Sequence, residues 1–142
     1  MNNRETFMDN WLSIDATMNN IEKDISAKLK SNYNMSIKGF YVLYYISKSP
    51  DKALRLQQLE EKVGLSQSAL SRLVARLESN NCGALEKYVS ATDRRGTYTK
   101  LTKLGEEKLK NGLQDFQEVV KKYLSHDELE IIFNKLNANF VE

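Results

Sequence analysis

Along the first thirty residues, apolar side chains recur at Phe7, Trp11, Ile14, Met18, Ile21, Ile25 and Leu29, in steps of 4, 3, 4, 3, 4 and 4. Steps of three and four keep side chains on one face of a 3.6-residue turn, which makes residues 7–30 one amphipathic helix. About 24 residues at a rise of about 1.5 Å reach roughly 36 Å, more than a chain of this size needs to cover its own core. Part of the stripe is therefore expected to face another chain, and any fold for this sequence has to allow for that.

The remaining periodicity is also mostly helical. Ser36 is placed to cap a helix Ile37–Lys48 that is apolar on nearly all sides and is expected to be central; Ser49, Pro50 and Asp51 end it, and a loop follows. Leu56, Leu59 and Val63 define a short helix stopped by Gly64, and the next helix, beginning at Leu65 and Ser66, has its apolar positions at Leu70, Leu73, Val74 and Leu77. Leu85 to Thr92 and Thr97 to Thr102, rich in Tyr, Val, Thr and Leu, predict a β-hairpin with Asp93-Arg94-Arg95-Gly96 at its tip. Past Gly105 a helix resumes through Leu109, Leu113, Phe116 and Val120 to Leu124, with Gly112 as a weak point of about 1 kcal/mol where a bend is expected. Ser125 and Glu128 have the spacing of a capping box and open a last helix containing Leu129, Ile132, Phe133, Leu136 and Phe140. The expected fold class is mainly α with a small β-hairpin.

Composition excludes several classes. A length of 142 residues is about one domain, 1–142, and 41% hydrophobic residues suffice for a core. No stretch approaches the roughly 18 consecutive apolar residues of a membrane span, and Met1 to Asn10 lack the apolar core of a secretory signal, so a soluble, cytoplasmic protein without membrane partners is expected. The single cysteine, Cys82, forms no internal disulfide, and the single histidine, His126, lacks companions for a metal site. No nucleophile, base and orienting group can be assembled, and no glycine-rich phosphate loop precedes a helix; neither an enzyme nor a cofactor is expected. Net charge is only +2, yet residues 51–105 carry ten Lys/Arg against six Asp/Glu, net +4, leaving eleven against thirteen, net −2, elsewhere. The positive field sits in the middle of the chain.

That middle holds the residues that carry function. Leu59, Val63, Gly64, Leu65, Leu70 and Leu73 have the spacing of a helix-turn-helix, with Gly64 free to take the positive φ of the turn. The second helix then shows an outer face of Ser66, Gln67, Ser68, Ser71, Arg72 and Arg76, whose short polar residues allow close approach to base edges and phosphates. A hairpin tipped by Arg94 and Arg95 directly after it is placed as a wing beside the same groove. Lys100 and Lys103 add to the phosphate-binding charge.

With these residues in view, the sequence resembles the MarR family of winged helix-turn-helix transcription factors. The likeness lies in Gly64-Leu65-Ser66-Gln67-Ser68, Leu70-Ser71-Arg72-Leu73-Val74, Arg76-Leu77-Glu78, Asp93-Arg94-Arg95-Gly96 and Leu101-Thr102-Lys103-Leu104-Gly105. The chain departs from the family pattern at Glu60, where a small residue is usual, and at Asn80 to Leu85, a longer and more polar junction. The resemblance implies a winged helix-turn-helix lobe at 36–105 that binds double-stranded DNA, flanked by dimerisation helices at 7–30 and 106–141. It further implies a bacterial homodimeric repressor of a pseudo-palindromic operator, relieved by a small aromatic effector.

Other readings of the same residues stay open. Trp11, Tyr33, Phe40 and Tyr44 are candidates for the walls of an effector pocket or for ordinary core packing. Cys82 is either a redox sensor or an inert loop cysteine. The winged helix itself is an alternative platform for protein contact, against which the basic hairpin tip counts.

Overall fold

The computed structural model describes residues 2–89 and 96–140. The hairpin tip, with Asp93, Arg94 and Arg95, lies outside the described residues, as does the side chain of Phe140. The described elements are α1 (Asn3–Tyr33), α2 (Ile37–Lys48), β1 (Ala53–Arg55), α3 (Leu56–Val63), α4 (Gln67–Glu78), β2 (Leu85–Tyr88), β3 (Tyr98–Leu101), α5 (Lys103–Tyr123) and α6 (His126–Phe140).

The first helix is longer than its apolar stripe. Asn2 accepts from the Glu5 N–H at 2.9 Å while the Glu5 carboxylate accepts from the Asn2 N–H at 3.3 Å, a capping box ahead of the first apolar residue. The stripe divides along its length: Ile21, Ile25 and Leu29 are buried, whereas Phe7, Trp11, Ile14 and Met18 are exposed. The buried half packs on α5, and α2 fills the centre through Phe40, Val42, Leu43 and Ile46. α2 has the expected bounds, with the Ser36 hydroxyl accepting from the Gly39 N–H at 3.0 Å.

Two expectations are corrected. The segment after Pro50 is not only loop: Ala53–Arg55 forms β1, which pairs antiparallel with β3 in the register Ala53 to Lys100, Leu54 to Thr99 and Arg55 to Tyr98. With Leu85 to Leu101 and Tyr88 to Tyr98 pairing β2 to β3, the sheet has the order β1-β3-β2. The second correction concerns why glycine stands at position 112, inside the continuous helix α5. A Cβ there would come within 2.7 Å of Phe40 Cε2, so glycine serves close packing, and the Phe40 ring then stacks on Phe116 at 5.6 Å. The last turn is as read: the Ser125 hydroxyl accepts from the Glu128 N–H at 3.1 Å and the Glu128 carboxylate from the Ser125 N–H at 3.2 Å.

Candidate nucleic-acid interface

α3 and α4 are joined by Gly64 at φ 75°, a left-handed conformation that costs glycine little and a branched residue much. Leu59 and Val63 from α3 and Leu70, Leu73, Val74 and Leu77 from α4 are all buried, and each such side chain contributes about 1.5 to 3 kcal/mol through the water it sheds. That one-sided burial anchors α4 and leaves its other face free. Gln67, Ser68, Ser71, Arg72, Ala75 and Arg76 are all exposed, at intervals that keep them on one side of the helix.

The chemistry of that face is graded along the helix. Ser66 is first of all a cap: its hydroxyl accepts from the Ala69 N–H at 3.2 Å and lies 3.4 Å from the Ser68 hydroxyl. Among the described residues no carboxylate pairs with Arg72 or Arg76. Arg76 also lines a crevice of about 210 Å³ with Lys30, Asn34 and Cys82, where the end of α4 meets the α1–α2 junction.

The sheet adds a residue that the sequence reading passed over. Arg55, the last residue of β1, lays its guanidinium over the Tyr98 ring at 5.8 Å, and its Nε is buried with no hydrogen-bond partner among the described residues. A Cβ on Gly96 would sit 3.7 Å from Arg55 Cδ, so this side chain lies at the root of the hairpin. Tyr98 meets Tyr88 edge-on at 6.4 Å, and Lys100 stands over Tyr88 at 5.1 Å. The only hint of Arg55 in the sequence is a cation preceding a short helix.

Lys100 is not grouped with the α4 face. It pairs with Glu86 at 3.5 Å and lines a groove of about 560 Å³ with Lys52, Glu106 and Lys110, to which α4 contributes nothing. Arg94 and Arg95 lie outside the described residues.

The four aromatic effector candidates are dispersed. Trp11 and Tyr33 are 22 residues apart on one helix, roughly 33 Å along its axis. Phe40 is buried in the core, and Tyr44 is exposed with its edge toward Tyr45 at 6.3 Å. Tyr33 donates its hydroxyl to Asp115, which also accepts from Asn32 Nδ2 at 3.1 Å. Burial, and then the hydrogen bond to Asp115, push the Tyr33 hydroxyl up to about 12. The same hydrogen bond draws the Asp115 carboxyl below its usual range, against a smaller opposing effect of burial.

Cys82 is buried, and its carbonyl accepts from the Lys108 ammonium at 2.8 Å. His126 begins α6 and is exposed. Among the described residues no group of three His, Cys, Asp or Glu side chains is arranged to hold a metal ion, and no helix is long and apolar enough to cross a membrane.

Several solved structures share this architecture. A MarR-family transcriptional regulator of Streptomyces coelicolor, solved in complex with DNA, is 22% identical at a TM-score of 0.77, over 97% of this chain and 86% of that one. The transcriptional regulator BldR of Sulfolobus solfataricus is 20% identical at 0.77, over 99% and 98%. A MarR variant from E. coli complexed with operator DNA is 20% identical at 0.71, over the full length of both. At such identities the likeness establishes the fold, the winged helix of MarR-type regulators. No curated protein matches the chain by sequence. Residues 24–112, more than half the chain, match the family model described as transcriptional regulator SarA/Rot, and the chain belongs to that family of transcriptional regulators.

Proposed function

We propose that this regulator is a cytoplasmic DNA-binding homodimer that occupies a pseudo-palindromic duplex site and represses from it. The observation that carries the reading is α4: four buried apolar residues fix one face, and the opposite face offers Gln67, Ser68, Ser71, the small Ala75 and two arginines without acidic partners among the described residues. Such a helix fits the major groove, where Gln67 can pair bidentately with adenine and Arg72 with guanine or phosphate. Ser68 and Ser71 are short enough for the helix to approach, and Ser66 presents the helix start to a phosphate. Arg94, Arg95 and Arg76 supply sequence-independent phosphate contacts. Two of the similar structures were solved with DNA, which supports the same use here.

Dimerisation rests on the unpartnered apolar face of α1 together with Ile131, Ile132, Phe133 and Leu136 on α6, all exposed in the single chain. In a two-fold dimer the two α4 helices address half-sites about one helical turn apart, roughly 34 Å. An effector pocket using Trp11, Tyr33 and Tyr44 is one that only dimerisation can assemble. A small aromatic effector would release DNA by binding better to a dimer whose helices are misplaced. The family is one of regulators and not of enzymes.

The test is a binding titration on fragments selected from the parent genome, repeated over a salt series. Selective binding with a steep salt slope, weakened by Arg72→Ala, is the expected result. Absence of retention on any duplex at low salt sinks the reading.

A further inference from the structure

The turn that follows α4 is held from behind by α5. The Thr102 hydroxyl donates to the Gly83 carbonyl at 2.5 Å, and the Thr102 N–H donates to the Ala84 carbonyl at 3.0 Å. At Gly105 a Cβ would stand 2.0 Å from the Ala84 oxygen, so only glycine allows this approach. These contacts dock the first turn of α5 on the start of β2.

Lys108, one turn further along α5, makes a connection of another kind. Its ammonium donates to the Cys82 carbonyl at 2.8 Å and to the Tyr33 carbonyl at 3.1 Å, with Cys82 Sγ at 3.6 Å. Tyr33 is the last residue of α1, where carbonyls have no donor within the helix and the helix dipole is negative. The Tyr33 hydroxyl is held in turn by Asp115, seven residues beyond Lys108 on the same helix. One half-buried cation thus ties together the end of α1, the turn leaving α4, and α5.

We propose that Lys108 is a positioning residue that fixes the orientation of α4 against α1 and α5, and thereby the spacing of the two recognition helices in the dimer. The inference rests on the DNA-binding reading above. Lys108 lies off the outer face of α4, so its role is in how far apart two half-sites are read and not in which bases are read.

The test is selection of duplexes from a random-sequence library by the parent, by Lys108→Met and by Lys108→Arg. The parent is expected to select one half-site at one spacing. Lys108→Met, which keeps the stem and loses the donors, should select the same half-site at several spacings. It should bind the parent's preferred duplex roughly tenfold more weakly while binding an isolated half-site within about twofold of the parent. Lys108→Arg, which keeps charge and donors, should restore the single spacing.

A folded, dimeric Lys108→Met that selects the parent's single spacing with undiminished affinity overturns the inference. Equal losses on full site and half-site overturn it too, because they mark a general structural or direct contact role. A parent that selects no sequence sinks the DNA-binding reading and this inference with it. If the methionine variant fails to fold, Lys108→Gln, with one donor group left, is put through the same comparison.

Discussion

In α4 the apolar positions Leu70, Leu73, Val74 and Leu77, and in α6 the positions Leu129, Ile132, Phe133 and Leu136, follow the same intervals of 3, 1 and 3 residues. The α4 set is buried, with Leu70 at 0% exposure, while Phe133 is 55% and Leu136 48% exposed. An amphipathic spacing states which face of a helix needs cover; it does not say which molecule supplies it. For α4 the cover comes from α2, α3 and β2 of its own chain. For α6 it is proposed to come from a second copy, and α1 passes from one regime to the other between Met18, 49% exposed, and Ile21, at 4%.

Charging the uncovered faces should have the largest effect. Trp11→Asp combined with Phe133→Asp should raise the dimer dissociation constant at least about a hundredfold, since central aromatic residues dominate interfaces. Sedimentation equilibrium reads this directly, and a parent that is already monomeric at micromolar concentration removes the proposed cover. Next in size is the covered face itself. Leu70→Ala should lower the unfolding free energy by about 2 to 5 kcal/mol in urea melts, because it opens a cavity in a filled core. Leu136→Ala, measured at dilution where the dimer has dissociated, should cost under about 0.5 kcal/mol.

Smaller effects sharpen the division of labour. Gly112→Ala should destabilise by about 1 to 3 kcal/mol, as the Phe40 ring edge has to give way to a Cβ now only 2.7 Å distant. Arg72→Ala should leave thermal melting unchanged and weaken binding to selected DNA by about 1 to 3 kcal/mol. A drop in melting temperature for Arg72→Ala would mean that the outer face of α4 is structural.

Much of this was legible because it is local. Ser36 and Pro50 bracket α2, Gly64 marks the turn, and Ser125 with Glu128 marks the start of α6, each through hydrogen bonds or dihedral limits among neighbours in sequence. What escaped is non-local. β1 is three residues whose strand partner, β3, lies some 45 positions away, and Ala53 gives no alternation or propensity signal. Arg55 became visible as a hairpin-root residue only once that pairing placed it opposite Tyr98. Gly112 looked like a weak helix position because the ring it accommodates comes from α2, and the Lys100–Glu86 pair is made across the sheet, between residues 14 positions apart in sequence.

The finest test concerns the seam where the covered half of α1 meets α5. Tyr33 and Asp115 share a hydrogen bond whose two partners shift in opposite directions. The Asp115 carboxyl, drawn below its unfolded value of about 3.9, contributes stability above that value and loses it as pH falls through the lowered pKa. Tyr33, raised to about 12, contributes stability that is complete below its unfolded value of about 10 and lost as pH rises through the raised one. The pair should therefore support α1 across the neutral range and fail at both ends. Because it is only half-buried, the effect should stay below about 1 kcal/mol. Tyr33→Phe should flatten the difference between melts at pH about 3 and about 7, and an NMR titration should find the Asp115 carboxyl moved up toward the ordinary carboxylate range. An Asp115 titration that does not move would mean that Asn32 and nearby Lys28 hold the carboxylate instead, leaving the C-terminal end of α1 without this latch.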